Sequence, residues 1–368
     1  QAWEAHAARI LGIYETPPYE IHLPAGTEKR RFIVQLGVPL ADVDTTFASL
    51  MATVAGEMLA YGDVKLLDLA LPRSYLSHFG GPKFGVEGIR SLLGAPDRPL
   101  VLAIVKPSQG YTPEMGASIF FEAARGGADI VKDEELLTDP AYCRRARRVE
   151  LYMQAEKRAF EETGERTLYA VNITDRPDRL LPNALEAMEL GANALMVNYL
   201  QVGFDAARAL CEDARVTLPI LGHNTGAFSF YASASSGVSA PLINGKLPRL
   251  CGVDMGIVLS GLGSFPALQE RCFLLARQML SPLADIRPTL PIIASGITPG
   301  QVGALVRQYG HDIALGTGSA IFGHPQGPAA GARAFRQAIQ CLSDGRDLAS
   351  AAAEHRELGQ ALKLWGSG

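Results

Sequence analysis

The feature that most limits the fold of this chain is an alternation that begins after Pro99 and runs almost to the C-terminus. Short apolar, β-branched runs alternate there with longer stretches of helical periodicity. The runs are 101–105, 129–132, 168–173, 194–197, 220–222, 253–258, 292–294 and 313–315. The helical stretches are 114–125, 143–162, 177–190, 204–213, 241–250, 267–280, 299–309 and 327–342. Eight strands each followed by a helix, over about 240 residues, is the pattern of a (β/α)8 TIM barrel. The strands are continuously apolar rather than alternating, as a parallel sheet covered on both faces requires. A doubly wound open sheet is the alternative reading of the same alternation.

Before Pro96-Asp97-Arg98-Pro99 the rhythm is mixed. Residues 31–36 and 64–69 read as strands and 43–59 as an amphipathic helix, followed by a shorter helix and a Gly80-Gly81-Pro82 turn. That segment is α+β and too short for a barrel. The expected organisation is therefore α/β, with a smaller α+β (ferredoxin-like) domain at 1–97, the barrel at 98–345 and a helical tail at 346–368. The chain opens at Gln1 without a Met or a signal-peptide pattern, so we expect further chain upstream, including the first elements of the N-terminal domain.

Composition narrows the function. Of 368 residues 48% are hydrophobic and 20% charged, with a net charge of −4, and no basic run is interleaved with aromatics, which argues against a nucleic-acid partner. No apolar run approaches the ~18–20 residues of a membrane span, so no membrane partner is expected. Five widely spaced cysteines without a C-x-x-C read as reduced, buried thiols in a cytoplasmic protein.

Active sites of such barrels lie at the C-terminal ends of the strands. The second run ends in Lys132-Asp133-Glu134-Glu135. Carboxylates converging on one point repel unless a hard cation such as Mg²⁺ neutralises them, and Glu134 and Glu135 are the candidate ligands. A solvated charged loop is the competing reading. Lys106 leaves the first run after five apolar residues, a setting that suits a lysine to acid/base work, although a surface lysine with a buried stem is equally compatible. His223 ends the fifth run and reads as a base, a ligand, a substrate donor or a structural histidine. Asn172 ends the third run. Ser295-Gly296 and Gly316-Thr317-Gly318-Ser319 end the last two and offer backbone amides to an anion, where barrels often bind phosphate.

At these residues the chain resembles RuBisCO, and more closely the RuBisCO-like proteins (form IV), from about Arg31 to Ala338. The most specific piece is Gly126-Gly127-Ala128-Asp129-Ile130-Val131-Lys132-Asp133-Glu134-Glu135. Lys106-Pro107, Asn172-Ile173-Thr174, Gly222-His223-Asn224 and Gly323-His324-Pro325-Gln326-Gly327 follow in the family's order, preceded by Leu71-Pro72-Arg73-Ser74-Tyr75 and Phe79-Gly80-Gly81-Pro82.

The resemblance implies a CO₂-derived carbamate on Lys132 and Mg²⁺ held by Lys132, Glu134 and Glu135, with Glu134 in place of the usual aspartate. It implies catalytic roles for Lys106, Lys132 and His223. Substrate and phosphate would be bound by Asn172, Asn224, Ser295, Gly296, Gly318 and Ser319.

The departures are as informative. Ser108 stands where RuBisCO has a second lysine, and Asn224 where it has an arginine. The loop after the sixth run, Ser260-Gly261-Leu262-Gly263-Ser264-Phe265, has no lysine. Carboxylation is therefore not expected. What remains is Mg²⁺-dependent enolisation of a small phosphorylated keto or sugar-acid compound, as tautomerase, isomerase or decarboxylase, in sulfur salvage or sugar-acid catabolism. A homodimer with the site at the subunit interface is also implied. Glu57 aligns with the lysine base that the methionine-salvage branch carries on its N-terminal domain. The alternative function is a non-catalytic protein that retains the scaffold for ligand sensing or as a partner surface.

Overall fold

The computed structural model describes residues 3–16, 31–263 and 268–367. Ser264 and Phe265 of the loop discussed above, and the expected helix start at Ala267, lie outside the described residues. The chain divides into two compact units, 1–58 and 59–368. The sequence puts its change of rhythm at Pro96–Pro99 instead; the helix Gly85–Leu93 shares the barrel's apolar cluster and so belongs to the second unit.

In the first unit, β1 (Arg9–Glu15) pairs antiparallel with β2 (Phe32–Gly37), with a register shift between Ile10 and Gly12. A helix at Phe47–Ala55 begins where the Thr46 side chain accepts the Ser49 amide and stops at Gly56. It is shorter at both ends than the expected 43–59. Glu57 opens a 3₁₀ turn, Glu57–Tyr61, and is exposed.

The second unit begins with β3 (Lys65–Leu66), far shorter than the expected 64–69. The strands that follow are β4 (Leu100–Ile104), β5 (Ile130–Lys132), β6 (Leu168–Asn172), β7 (Ala194–Asn198), β8 (Ile220–His223), the two-residue β9 (Gly237–Val238), β10 (Met255–Leu259), β11 (Leu290–Ala294) and β12 (Ala314–Thr317). All except β3 and β9 form a closed parallel barrel in the order β10-β11-β12-β4-β5-β6-β7-β8. Closure comes from β12 against β4 (Ala314↔Leu100) and β8 against β10 (Leu221↔Met255). β9 pairs with β3 outside the barrel. The open-sheet alternative is excluded by this closure. The strands fall within about two residues of the expected runs because Gly and Pro punctuate them clearly.

The barrel interior is filled by Leu100, Leu102, Ile130, Ala170, Met196, Leu221, Met255, Leu290 and Ile292. Val86, Ile89 and Leu93 of the helix Gly85–Leu93 join the same cluster and plug its lower end. Gly85 has φ +59°, and a Cβ there would stand 2.6 Å from the Pro288 carbonyl oxygen, so only glycine fits. The buried Asp254 carboxylate, at the foot of β10, accepts the amides of Phe84 (2.6 Å), Gly85 (2.9 Å) and Ile220 (2.9 Å). Asp254→Ala would leave these three donors without a partner. The expected loss is about 3 kcal/mol of unfolding free energy, read from urea denaturation; an unchanged midpoint would rule out this role.

All five cysteines are free and buried. Among the described residues, no helix is long and apolar enough to cross a membrane.

Candidate functional site

Lys132 is the last residue of β5, and its side chain is buried at the mouth of the barrel. Its Nζ donates to the Asp133 carbonyl oxygen at 2.7 Å and lies 3.7 Å from Glu135 Oε2. Burial drives its pKa down, against the opposing pull of Glu134, Glu135 and Asp133. A larger fraction of unprotonated amine follows than an exposed lysine would have.

Glu134 is buried as well. Its Oε1 is paired with Lys106 Nζ and accepts the Ser108 hydroxyl at 3.2 Å, while Lys106 Nζ also donates to Ser108 Oγ at 3.0 Å. The lysine just after β4 and the carboxylate just after β5 meet because those strands are neighbours in the sheet. Burial raises the Glu135 pKa, but the Lys132 charge, a backbone hydrogen bond and the Lys106 charge outweigh it and hold Glu135 below the usual carboxylate range.

His223, at the end of β8, places Nε2 3.4 Å from Glu135 Oε2 and Nδ1 2.8 Å from Thr225 Oγ1. Burial pushes its pKa well below the usual imidazole value, with help from Lys132 and against Glu134. We therefore read the Glu135 contact as that of a neutral ring, not an ion pair. The sign is checkable. The unfolded chain gains a proton on this residue below about pH 6.5 while the folded chain does not. Wild type should lose more stability on acidification than His223→Gln, by up to about 1.4 kcal/mol per pH unit. Urea unfolding at neutral and mildly acidic pH checks this, and equal losses in the two proteins would refute it.

Asn172 ends β6 and is fully buried. Its Nδ2 donates to the carbonyl oxygens of Glu134 (3.2 Å) and Glu135 (3.1 Å), and its Oδ1 accepts the Thr174 amide at 3.1 Å. This side chain, expected to bind substrate, spends its hydrogen bonds on the acidic loop. Asn198 at the end of β7 does the same through Nδ2 to Glu135 O at 3.3 Å, and its Oδ1 is buried without a partner. Neither positioning role has a local sequence signal, since the partners are 37 and 63 residues away.

The remaining candidates are placed as follows. Gly318 lies directly beside Lys106: a Cβ there would be 3.0 Å from Lys106 Cε and 3.1 Å from the Ile104 carbonyl oxygen. Ser319 is exposed at the start of the helical turn Ser319–Phe322. Ser295 has φ +80°, unusual for a residue with a side chain, and its carbonyl accepts Ser260 Oγ at 2.6 Å. Gly263 packs on this turn so closely that a Cβ on Gly296 would stand 2.5 Å from Gly263 Cα. Asn224 turns toward β10, donating to Ile257 O at 3.2 Å. Lys106, Lys132, Glu134, Glu135, His223 and Asn172 thus form one connected cluster, with Gly318 against it. Among the described residues, no side-chain hydrogen bond or ion pair joins Asn224 or Ser295 to the side chains of that cluster. Glu57 belongs to the first compact unit.

Among the described residues no three His, Cys, Asp or Glu side chains form a ready metal site. The set read from the sequence has two carboxylates, so a third anionic oxygen donor would come from a carbamate on Lys132. The donor set fits that requirement: a buried amine with a lowered pKa stands within 4 Å of one of the two carboxylates.

Residues 85–264 and 276–365 match the family described as ribulose bisphosphate carboxylase large chain, catalytic domain. A ribulose bisphosphate carboxylase-like protein from Archaeoglobus fulgidus is 44% identical over 362 residues, which cover 98% of this chain and 83% of the relative. A 2,3-diketo-5-methylthiopentyl-1-phosphate enolase from Geobacillus kaustophilus is 35% identical over 362 residues, 98% of this chain and 88% of the relative. The crystal structure of a rubisco-like protein (MtnW) from Alicyclobacillus acidocaldarius superposes with a TM-score of 0.92 at 37% identity, over 99% of this chain and 90% of the other. The chain belongs to the RuBisCO large-chain family, among its RuBisCO-like (form IV) proteins.

Proposed function

We propose that this protein is a Mg²⁺-dependent enzyme that enolises a small phosphorylated keto compound without fixing CO₂. The observation that carries the reading is the cluster at the mouth of β5, where Lys132, Glu134 and Glu135 stand together with Lys106 and His223. The enolase from Geobacillus kaustophilus acts on a compound of this class by its name, and the likeness to it extends over nearly the whole chain. A phosphorylated diketone of sulfur salvage is thus the first substrate to test, with sugar-acid phosphates next.

Lys132, as its carbamate, Glu134 and Glu135 would hold Mg²⁺. The ion would supply Lewis acidity for a substrate carbonyl and its developing negative charge. Lys106, cationic and partly exposed, is placed to donate a proton or to balance that charge. His223, kept neutral by burial, is able to accept one. Gly318 lies beside Lys106, and its backbone amide and that of Ser319 would offer a phosphate N–H donors alongside the ammonium.

The protein would work as a cytoplasmic homodimer, with Glu57 of one subunit serving the site of the other. Exposed apolar side chains on β1 and β2, among them Ile10, Ile13, Phe32 and Val34, are consistent with association. The test is hydrogen–deuterium exchange next to the carbonyl in a panel of keto phosphates, with Mg²⁺ and bicarbonate. Exchange that disappears on chelation supports the reading. Binding of these compounds with no exchange in any of them would favour the non-catalytic alternative.

A further inference from the structure

One acidic residue of the loop after β5 does not join the others. Successive side chains of a strand point to opposite faces, so Asp133, between Lys132 and Glu134, enters the layer between the sheet and the helix Arg145–Thr163. There Asp133 and Arg148 are both at 0% exposure, with Arg148 Nη2 3.2 Å from Asp133 Oδ2. The Tyr169 hydroxyl donates to Asp133 Oδ1 at 2.9 Å, and the backbone amide of Asn172 donates to Oδ2 at 3.0 Å. Burial and the Asp133 charge push the Tyr169 phenol well above its ordinary pKa, so it remains a donor. Arg148 also donates to the carbonyls of Leu137 (3.3 Å), Thr138 (2.7 Å) and Cys143, fastening the rest of the loop. From the opposite side, Asn172 and Asn198 hold the carbonyls of Glu134 and Glu135. The stretch carrying both candidate ligands is thus gripped from two directions.

Stability alone is a poor reason for such an arrangement. A buried ion pair costs desolvation, and packed apolar residues of similar volume often serve as well or better. A hard cation, by contrast, needs its oxygens placed to within a few tenths of an ångström. We propose that Asp133 is a positioning residue: its bonds to Arg148 and Tyr169 fix the direction in which the Glu134 and Glu135 carboxylates leave the chain, and so set the affinity of the site for a divalent cation. The proposal rests on the reading of Lys132, Glu134 and Glu135 as cation ligands.

The test uses the full chain in bicarbonate, with Mn²⁺ affinity measured by calorimetry and ligand geometry by electron paramagnetic resonance. Two variants are compared with wild type at matched thermal stability. The double substitution Asp133→Leu with Arg148→Met replaces the pair by apolar side chains. Tyr169→Phe deletes one hydroxyl and decides the question alone if the double variant does not fold. The expected result is Mn²⁺ binding weaker by about 10–100-fold in the double variant and about tenfold in Tyr169→Phe, with a changed resonance line shape. A folded variant that binds Mn²⁺ as tightly as wild type overturns the positioning role and leaves the functional reading standing. Wild type that binds no cation in bicarbonate overturns both.

Discussion

Lys132→Ala is expected to abolish Mg²⁺-dependent proton exchange on the substrate, and Lys132→Met to do the same. The Lewis acidity of a bound ion is worth several kcal/mol at a developing enolate, and each ~1.4 kcal/mol is a factor of ten in rate. The loss should therefore be about a thousandfold or more. Met fills the volume of the buried lysine stem, so its equal effect would separate lost chemistry from a packing defect. Activation of the wild type by bicarbonate should also grow with rising pH, because only the unprotonated amine reacts with CO₂. Burial lowers the Lys132 pKa and brings that reaction within reach. Comparison of exchange rates for the three proteins, with and without bicarbonate, checks the expectation; full activity in Lys132→Met would remove the residue from the mechanism.

Lys106→Met should have the second largest effect, and a different signature. The ammonium is paired with Glu134 and lies against Gly318, so it neighbours both the proposed cation ligands and the proposed phosphate amides. General acid–base catalysis by one positioned side chain contributes about 10²–10⁴-fold, and kcat should fall by that much. Mn²⁺ affinity should stay within a few-fold of wild type, since Lys106 is not proposed as a ligand. Arg at this position should not restore the rate, because a guanidinium neither matches the compact ammonium nor gives up its proton. A variant that keeps its kcat at saturating Mg²⁺ but needs far more of the cation to reach it would reassign Lys106 to the organisation of the metal site.

How much of this was legible in the sequence depends on the range of the interaction. The barrel strands were, because each is a short apolar run closed by glycine, proline or a polar end, and β4 at Leu100–Ile104 lies one residue from its expected place. The grouping of Lys132, Glu134 and Glu135 was also legible, since they fall within four residues at a strand end. Contacts between distant segments were not. β3 shrinks to Lys65–Leu66 because its partner among the described residues is Gly237–Val238, in an excursion after β8 that no local pattern announces. The helix expected at 241–250 contains a π-helical turn at Leu242–Lys246 before it becomes regular. Asn172 reads locally as a strand-end substrate ligand, and only the fold shows that its amide is occupied by the Glu134 and Glu135 carbonyls. Asp133 reads as one more acid of the cluster. Strand alternation would have turned it outward, but its partners Arg148 and Tyr169 come from another helix and another strand. The compact unit likewise starts at Leu59 and not after Pro96 because Val86, Ile89 and Leu93 close the barrel floor.

A crystal structure of the protein grown with Mg²⁺ and bicarbonate gives the decisive observation. Electron density extending beyond Lys132 Nζ by the atoms of a carboxylate, with a cation touching it and the Glu134 and Glu135 side chains, is the predicted result. An unmodified Lys132 amine, with the two glutamates turned away from each other and no cation between them, would contradict it.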